Sequence, residues 1–238
     1  MERSQALDTS PLTPTFDWMA PRYERQTATV SWGRYRRWMA RTAAVAAALN
    51  PTVLVDAGAG TGVLLRELAR RLPQCRLVAV EPSSGMAEMA GHAPGDWHRT
   101  TLEAYALAHP AECEVLTTTF VLRDLADPVG YLRAAARVLR PGGHLVLLET
   151  HTPTGWRGIG FRAYFHGLLP LLGRLWLTRD WPFPNRIPPY RWLSESHRRW
   201  NPSDLPEWLR RAGFAPPEAH SRPTEVILLL AARKAPTA

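Results

Sequence analysis

Apolar residues in the middle of the chain fall in short dense runs, separated by stretches with helical spacing. Val53-Leu54-Val55 ends in Asp56 and then breaks into Gly58, Gly60 and Gly62. Val63, Leu64, Leu65, Leu68, Ala69 and Leu72 follow at helical spacing, with Arg66, Glu67, Arg70 and Arg71 between them. The pattern predicts a strand, a tight turn and a helix. Leu77-Val78-Ala79-Val80 is a second buried strand, closed by Glu81. A third strand is expected near Trp97–Thr100 and a fourth at Val115–Thr119. The fifth, His144–Thr150, is reached through a turn at Pro141-Gly142-Gly143 and is almost continuously apolar, as in a parallel-sheet interior. Asp127-Pro128 predicts a helix start, with Leu132, Ala135, Ala136 and Leu139 on its buried face. A helix over Ser203–Ala212, closed by Gly213, and strands at Pro216–Ala219 and Val226–Ala232 complete the series. Alternation in this order argues for a doubly wound, mostly parallel α/β sheet.

Three segments depart from the alternation. Residues 1–14 are polar with Pro11 and Pro14 and are expected to be a disordered lead-in. Residues 15–50 place Trp18, Met19, Tyr23, Trp32, Tyr35, Trp38 and Met39 among Arg22, Arg25, Arg34, Arg36, Arg37 and Arg41. They predict one or two amphipathic helices that either pack on the sheet or cap a ligand site. Residues 151–200, with Trp156, Trp176, Trp181, Trp192 and Trp200, predict an insertion covering the site, because a structureless loop of that length is unusual. The whole of 15–238 is expected to be one domain.

With 45% apolar and 21% charged residues, the composition is that of a globular chain. The net charge of +8 comes with a single lysine, Lys234, so the arginine excess is as well explained by nucleotide bias as by an anionic partner. No stretch resembles a nucleic-acid module. Pro188-Pro189-Tyr190 follows Ile187 and lies far from the strand end where base-methylating enzymes carry such a signature. Cys75 and Cys113 supply neither a disulfide framework nor a metal cluster. The N-terminus lacks the apolar core of a signal peptide, and Leu168–Leu177 is too short and too interrupted to span a bilayer. The expectation is a cytoplasmic protein, monomer or homodimer, with at most peripheral membrane contact.

The glycine turn carries the clearest chemistry. Glycines permit positive φ and close approach to a ligand, and a helix N-terminus adds unpaired N–H donors. A dinucleotide site wants G-x-G-x-x-G, whereas here the third glycine comes one position early. Asp56 directly before the turn suits an ammonium better than a pyrophosphate. Glu81, about twenty residues past the turn, suits the hydroxyls of a ribose with either cofactor. The acid followed by G-x-G-x-G resembles motif I of the class I S-adenosylmethionine (SAM) methyltransferases. That resemblance implies a SAM site built from Asp56, Ala57, Gly58, Gly60, Thr61, Glu81, Pro82, Ser83, Met86, Thr101, Leu102 and Thr119. Thr101 or Glu103 would serve the adenine amine, where the family often has Asp.

Three further stretches narrow the resemblance. One is Phe16-Asp17-x-x-Ala20-Pro21-Arg22-Tyr23-Glu24 with Ser31-Trp32-Gly33-x-x-Arg36-Arg37-Trp38. Another is Phe120-x-Leu122-Arg123-Asp124-Leu125-x-Asp127, followed by Arg137-Val138-Leu139-Arg140-Pro141-Gly142-Gly143 and then Leu148-Glu149. The last is Leu169-Pro170-Leu171-Leu172-Gly173 with Tyr190-Arg191-Trp192-Leu193-x-Glu195-Ser196 and Leu209-x-x-Ala212-Gly213-Phe214. In order and spacing they resemble the ubiquinone/menaquinone biosynthesis C-methyltransferase family over nearly all of 15–232. The departures are Tyr23-Glu24-Arg25-Gln26-Thr27 for Tyr-Asp-x-Met-Asn, Leu122-Arg123-Asp124 for Leu-Arg-Asn, and Glu149-Thr150-His151 for Glu-x-Ser. All three fall on the acceptor side, while the donor turn is intact.

The resemblance implies methylation of a quinol or phenol carbon, or of a specialised aromatic or polyketide acceptor. Neither a metal nor a covalent intermediate is called for, since the sulfonium methyl is already activated. Arg123 would stabilise the phenolate, Asp124 would position Arg123 or a water, and Tyr23 would hydrogen-bond the ring oxygens. His151 is the candidate base and His166 the second, on their near-neutral titration. Tyr23, Trp32, Phe120, His166 and Tyr190 are the candidate acceptor contacts. Against these stand plainer roles: Arg123–Asp124 as a structural ion pair, and His151 as a hydrogen-bonded bystander. The competing functions are O- or N-methylation of a natural product or phospholipid, a non-methylating lyase, cyclase or binding protein on this fold, and, on charge alone, RNA methylation.

Overall fold

In the computed structural model, which describes residues 12–173, 182 and 188–236, seven strands form one sheet in the order β3-β2-β1-β4-β5-β7-β6. They are β1 (Val53–Ala57), β2 (Arg76–Val80), β3 (Asp96–His98), β4 (Cys113–Thr119), β5 (Leu139–Thr150), β6 (Glu218–Ala219) and β7 (Ile227–Arg233). The first five pair in parallel, and β7 runs antiparallel to both β5 and β6. The order reverses between β1 and β4. In such sheets the crevice beyond the carboxyl ends of the strands at this point receives the ligand.

Each face of the sheet buries its own apolar cluster. On one side α6 (Leu102–Ala108), α7 (Pro128–Val138) and α11 (Leu205–Arg211) cover β1, β4 and β5, with Leu132, Ala135 and Leu209 fully excluded from solvent. On the other, α4 (Val63–Arg71) packs with α3 (Tyr35–Ala48), and Leu65, Leu68, Ala43 and Ala46 are fully buried. Asp127 caps α7 by accepting from Gly130 N–H at 2.8 Å, with Pro128 at the first helical position as expected.

Several boundaries differ from expectation. Pro141-Gly142-Gly143 does not precede the fifth strand but lies inside β5, where the register jumps from Cys113 opposite Leu139 to Val115 opposite His144. This bulge inserts extra residues into β5 opposite β4, which the apolar pattern alone does not reveal. The third strand starts one residue earlier than expected and ends at His98. The first helix, α1 (Thr13–Met19), begins inside the segment expected to be disordered, anchored by buried Leu12, Thr13 and Thr15. The remainder of that segment lies outside the described residues, as do Trp176 and Trp181.

The N-terminal helices divide between the glycine turn and the core. After α1 come a single 3-10 turn and α2 (Tyr23–Val30), which lean over the glycine turn, while α3 packs into the core. The chain reverses between α2 and α3 at Trp32 and Gly33, with φ of 53° and 74°. After β5, α8 (Trp156–Ala163) runs through one π turn at 164–168 into α9 (Leu169–Leu172), and α10 (Pro189–Arg199) follows. Phe165, Leu169 and Tyr190 form a small core of their own against Val30, Phe161, Tyr164 and Leu193. Trp200 is buried beside Trp208, whereas Trp156 stands exposed.

Candidate functional site

The carboxyl ends of β1 and β2 bring the glycine turn and two acids together. Gly58, Gly60 and Gly62 all have positive φ. A Cβ on Gly58 would stand 2.5 Å from the Val121 side chain, so the turn is pressed against the segment after β4. A Cβ on Gly60 would meet nothing within 4 Å, so this glycine opens onto free space. Glu81 spans the crevice: one carboxylate oxygen accepts from Gly60 N–H and the other from Ser83 N–H, both at 2.8 Å. Burial pushes its carboxyl up to about 6, against the pull of those two amides.

Asp56 is 1% exposed. One of its oxygens accepts from the Thr117 hydroxyl at 2.7 Å, and the other is buried without a hydrogen-bond partner among the described residues. Burial raises its carboxyl to about 7; the Thr117 bond opposes the shift and the neighbouring Glu81 charge adds to it. A buried acid with an orphaned oxygen, beside an open glycine turn, fits the ammonium end of an amino acid. Each Glu81 oxygen keeps a lone pair for a ribose hydroxyl. The residues present therefore fit SAM.

The rest of the expected donor set surrounds the crevice. Ser83 caps α5 (Ser84–Ala90) by accepting from Met86 N–H at 3.1 Å, and Met86 is buried. Thr101 caps α6 at Ala104 N–H, Leu102 is buried beneath it, and Glu103 is exposed. The Ala57 carbonyl accepts from the Tyr131 hydroxyl at 3.3 Å. Thr119 is half-buried at the end of β4, followed by Phe120 with φ of 59°. A non-glycine residue in this region is held by its surroundings: Phe120 N–H donates to Leu148 O at 2.8 Å, and its ring rests near Tyr35 and Trp38.

Two carboxylates of the N-terminal helices, given no role from sequence, fasten these helices to the crevice. One Asp17 oxygen accepts from the Ser83 hydroxyl at 2.6 Å and from Gly85 N–H at 2.8 Å. One Glu24 oxygen accepts from the Thr61 hydroxyl at 3.1 Å and from Arg66 at 2.8 Å. Asp17 and Glu24 stand in the aromatic-rich motif of residues 16–24, but nothing in that motif says which element they reach.

Beside the crevice lies a cavity of about 360 Å3 with mainly apolar walls. Phe16, Met19, Trp32, Phe120, Phe161, Tyr164 and Phe165 supply aromatic and aliphatic surface, and Tyr23, Tyr35, Arg123 and Asp124 are among its titratable groups next to the donor side. Tyr23 senses Arg123, Asp124, Glu149 and also Glu81, which places it where cavity and crevice meet. Burial raises its phenol to about 12, despite the opposing Arg123 charge. Gln26, Thr150 and Tyr190 contribute to the cavity wall, and Gln26 Oε1, Thr150 Oγ1 and the Tyr190 hydroxyl are buried without hydrogen-bond partners among the described residues. A buried polar atom without a protein partner calls for an ordered water, an ion, a bound molecule or a catalytic role.

Arg123 is anchored from behind. Its guanidinium donates to Glu149 at 2.6 Å, its Nε lies 4.0 Å from Asp124, and it sits 5.4 Å from the Phe120 ring centroid. Burial opposes its charge, but Glu149 and Asp124 outweigh burial and raise its pKa. Asp124 accepts from Trp192 Nε1 at 3.0 Å. The Arg123–Asp124 contact is therefore secondary, and the close ion pair is with Glu149.

Neither candidate histidine lines the cavity. His151 follows Thr150 past the end of β5; Thr150 faces the cavity, and successive residues of an extended chain point to opposite sides. Burial lowers the pKa of its imidazole, whose Nε2 has no partner among the described residues. His166 lies 2.9 Å from Ser194 Oγ and beside Arg198, on the far side of the wall formed by Phe165. Trp32, Phe120, Tyr23 and Tyr190 do line the cavity.

A model of the ubiE/COQ5 methyltransferase family matches residues 5–234 of the chain. The demethylmenaquinone methyltransferase of Thermus thermophilus is 34% identical over 208 residues, covering 84% of this chain and 91% of that protein. The Deinococcus radiodurans protein of the same name is 33% identical over 203 residues, covering 82% and 81%. Among solved structures, the plantazolicin methyltransferase BpumL in complex with SAH aligns with a TM-score of 0.62 at 12% identity, covering 94% of this chain and 96% of that one.

Proposed function

The chain belongs to the ubiE/COQ5 methyltransferase family and is a SAM-dependent methyltransferase, and we propose that it C-methylates the ring of a hydroquinone or related phenol. The observation that carries this reading is the apolar cavity of about 360 Å3 in which Tyr23, Arg123 and Asp124 converge next to the glycine turn. The relatives named for demethylmenaquinone support an acceptor of quinone type.

Asp56 would hold the ammonium end of the donor, Gly58, Gly60 and Thr61 its amino-acid backbone, and Glu81 its ribose. Pro82, Ser83, Met86, Thr101 and Leu102 would flank the adenine. When bound, SAM supplies a methyl group already activated on a sulfonium. The protein's remaining task is to raise the nucleophilicity of one ring carbon, align it and exclude water. Asp124 is the one carboxylate on the cavity wall among the described residues, so it replaces His151 as the proposed acceptor of the ring hydroxyl proton. Loss of that proton moves electron density onto the ortho carbon. Arg123, held by Glu149, would stabilise the developing phenolate, and Tyr23 would donate to a ring oxygen. Gln26, Thr150 and Tyr190 offer partners for a second oxygen on the ring.

No described helix is long and apolar enough to cross a membrane. We place the enzyme in the cytoplasm as a monomer or homodimer, in peripheral contact with the membrane that dissolves such acceptors. The test is transfer from methyl-labelled SAM to reduced and oxidised quinones, phenols and amines, with the product position read by NMR. A new carbon–methyl bond on the reduced ring is expected. Label found only on oxygen or nitrogen overturns the assignment.

A further inference from the structure

The helical segment from Trp156 to Leu172 has two dissimilar faces. One contributes Phe161, Tyr164 and Phe165 to the cavity wall. The other leaves Trp156 78%, Ile159 64%, Leu168 46% and Leu171 55% exposed. Large apolar side chains gathered on one exposed element mark an interaction surface. Arg157 and Arg162, both exposed, project from opposite flanks, roughly 130° and 90° to either side of the stripe through Trp156, Ile159 and Ala163. Trp32, 69% exposed on its positive-φ turn, extends the patch: its ring lies 5.5 Å from Tyr164, and Arg34, Arg36 and Arg37 are exposed beside it.

Along the two segments that carry this patch the charge has one sign, with Glu24 the one acid that reaches its arginines, 3.5 Å from Arg36. No Asp or Glu occurs between Thr150 and Arg179, and between Glu24 and Asp56 there is none either. A second copy of the chain would bring two predominantly basic faces together, which is unfavourable for a self-complementary contact. A negatively charged, partly apolar surface matches the face on both counts.

We infer that this face docks on an anionic phospholipid bilayer. The helical segment lies in the interfacial plane, with Trp156, Ile159, Leu168 and Leu171 in the acyl boundary and Arg157 and Arg162 at the level of the phosphates. The acceptor cavity then opens one helix thickness from the lipid, so an acceptor dissolved there enters without crossing water. Only this last consequence rests on the proposed acceptor; the docking does not.

The full chain is sedimented with vesicles of phosphatidylcholine alone and of phosphatidylcholine containing about one-third phosphatidylglycerol. Retention is expected on the anionic vesicles and little on the neutral ones. Ile159→Asp and Leu171→Asp each lower retention by about tenfold, and Arg157→Gln and Arg162→Gln by about fivefold each. Turnover of a water-soluble, tail-less hydroquinone stays unchanged in all four, which also shows that they fold. Absence of retention, equal retention on neutral vesicles, or retention indifferent to these substitutions overturns the inference. So does a dimer, seen by sedimentation equilibrium, that Ile159→Asp splits while vesicle retention persists. Vesicle retention without methylation of any hydroquinone would remove the acceptor reading and leave the docking face standing.

Discussion

Thr117 donates its hydroxyl to one oxygen of Asp56 at 2.7 Å, and the other oxygen of that carboxylate is buried with no partner among the described residues. The pair makes Asp56 a group that the fold tolerates poorly on its own. Its pKa of about 7 lies well above the ordinary 3.8, so the folded chain holds this proton more tightly than the unfolded chain does. Stability therefore falls as pH rises from about 4 to about 7, and the penalty is fully present above that window. Asp56→Asn should raise the melting temperature at pH 8 by several degrees, with the gain vanishing towards pH 4. The same change should weaken SAM binding by tenfold or more, read by titration calorimetry. A variant neither more stable at pH 8 nor weaker in binding removes Asp56 from the donor site.

Donor affinity in the unaltered enzyme should rise between pH 5.5 and pH 8, as Glu81 near 6 and Asp56 near 7 lose their protons and present charge to the ligand. In Asp56→Asn the upper part of that rise should disappear while the part due to Glu81 persists. Calorimetric binding curves at half-unit pH steps separate the two. A rise unaffected by the substitution assigns it to another group.

Which side chain takes the acceptor's proton is decided by two substitutions. Asp124→Asn keeps an oxygen for Trp192 Nε1 and should lower kcat by about 10²–10³ with a small change in KM, the loss expected on removing a general base. His151→Gln should change kcat by less than about threefold, because the imidazole lies off the cavity wall. The reverse pattern in steady-state kinetics restores His151 as the base.

The sequence carried the sheet well and the site unevenly. Apolar runs alternating with helical spacing were enough to predict a doubly wound sheet, because burial on both faces leaves that trace in composition. The glycine turn and Glu81 were legible because their chemistry is local. Asp17 reaching Ser83, Glu24 reaching Thr61, and Arg123 reaching Glu149 were not, since each joins positions far apart in the chain. Asp124 as neighbour to Arg123 was legible, but adjacency in sequence concealed that Glu149 is the closer partner at 2.6 Å. His151 suits a base by its ordinary titration range alone, but it follows Thr150, which faces the cavity, and successive residues of an extended chain point to opposite sides. Phe120 at φ 59° left no mark in the sequence, because nothing in its residue type announces a left-handed backbone.

The Arg123–Glu149 pair is almost wholly excluded from solvent, with side chains 8% and 1% exposed. Breaking one partner strands a buried charge, so Glu149→Ala should destabilise the protein by about 3–5 kcal/mol. Replacing both, as in Arg123→Leu with Glu149→Leu, should recover most of that stability and none of the activity. Urea midpoints of the single and double variants test it. A double variant less stable than the single one shows that the pair itself, and not the stranded charge, holds this part of the fold.

Gly58 and Gly60 share a positive φ yet should respond differently to a methyl group. At Gly58 the added carbon meets the Val121 side chain at 2.5 Å, so strain and collision combine. Gly58→Ala should cost about 2–4 kcal/mol of stability, and Val121→Ala placed with it should return part of the loss by vacating the contact. At Gly60 the added carbon meets no protein atom, so only the backbone strain of about 1–2 kcal/mol remains. The space it fills is where a ligand must approach the turn, and Gly60→Ala should weaken SAM binding more than tenfold while the fold persists. Melting curves and calorimetry on the three variants give both quantities. Equal binding losses at the two glycines, or full donor affinity in Gly60→Ala, would mean that the open side of this turn is not where the donor lies.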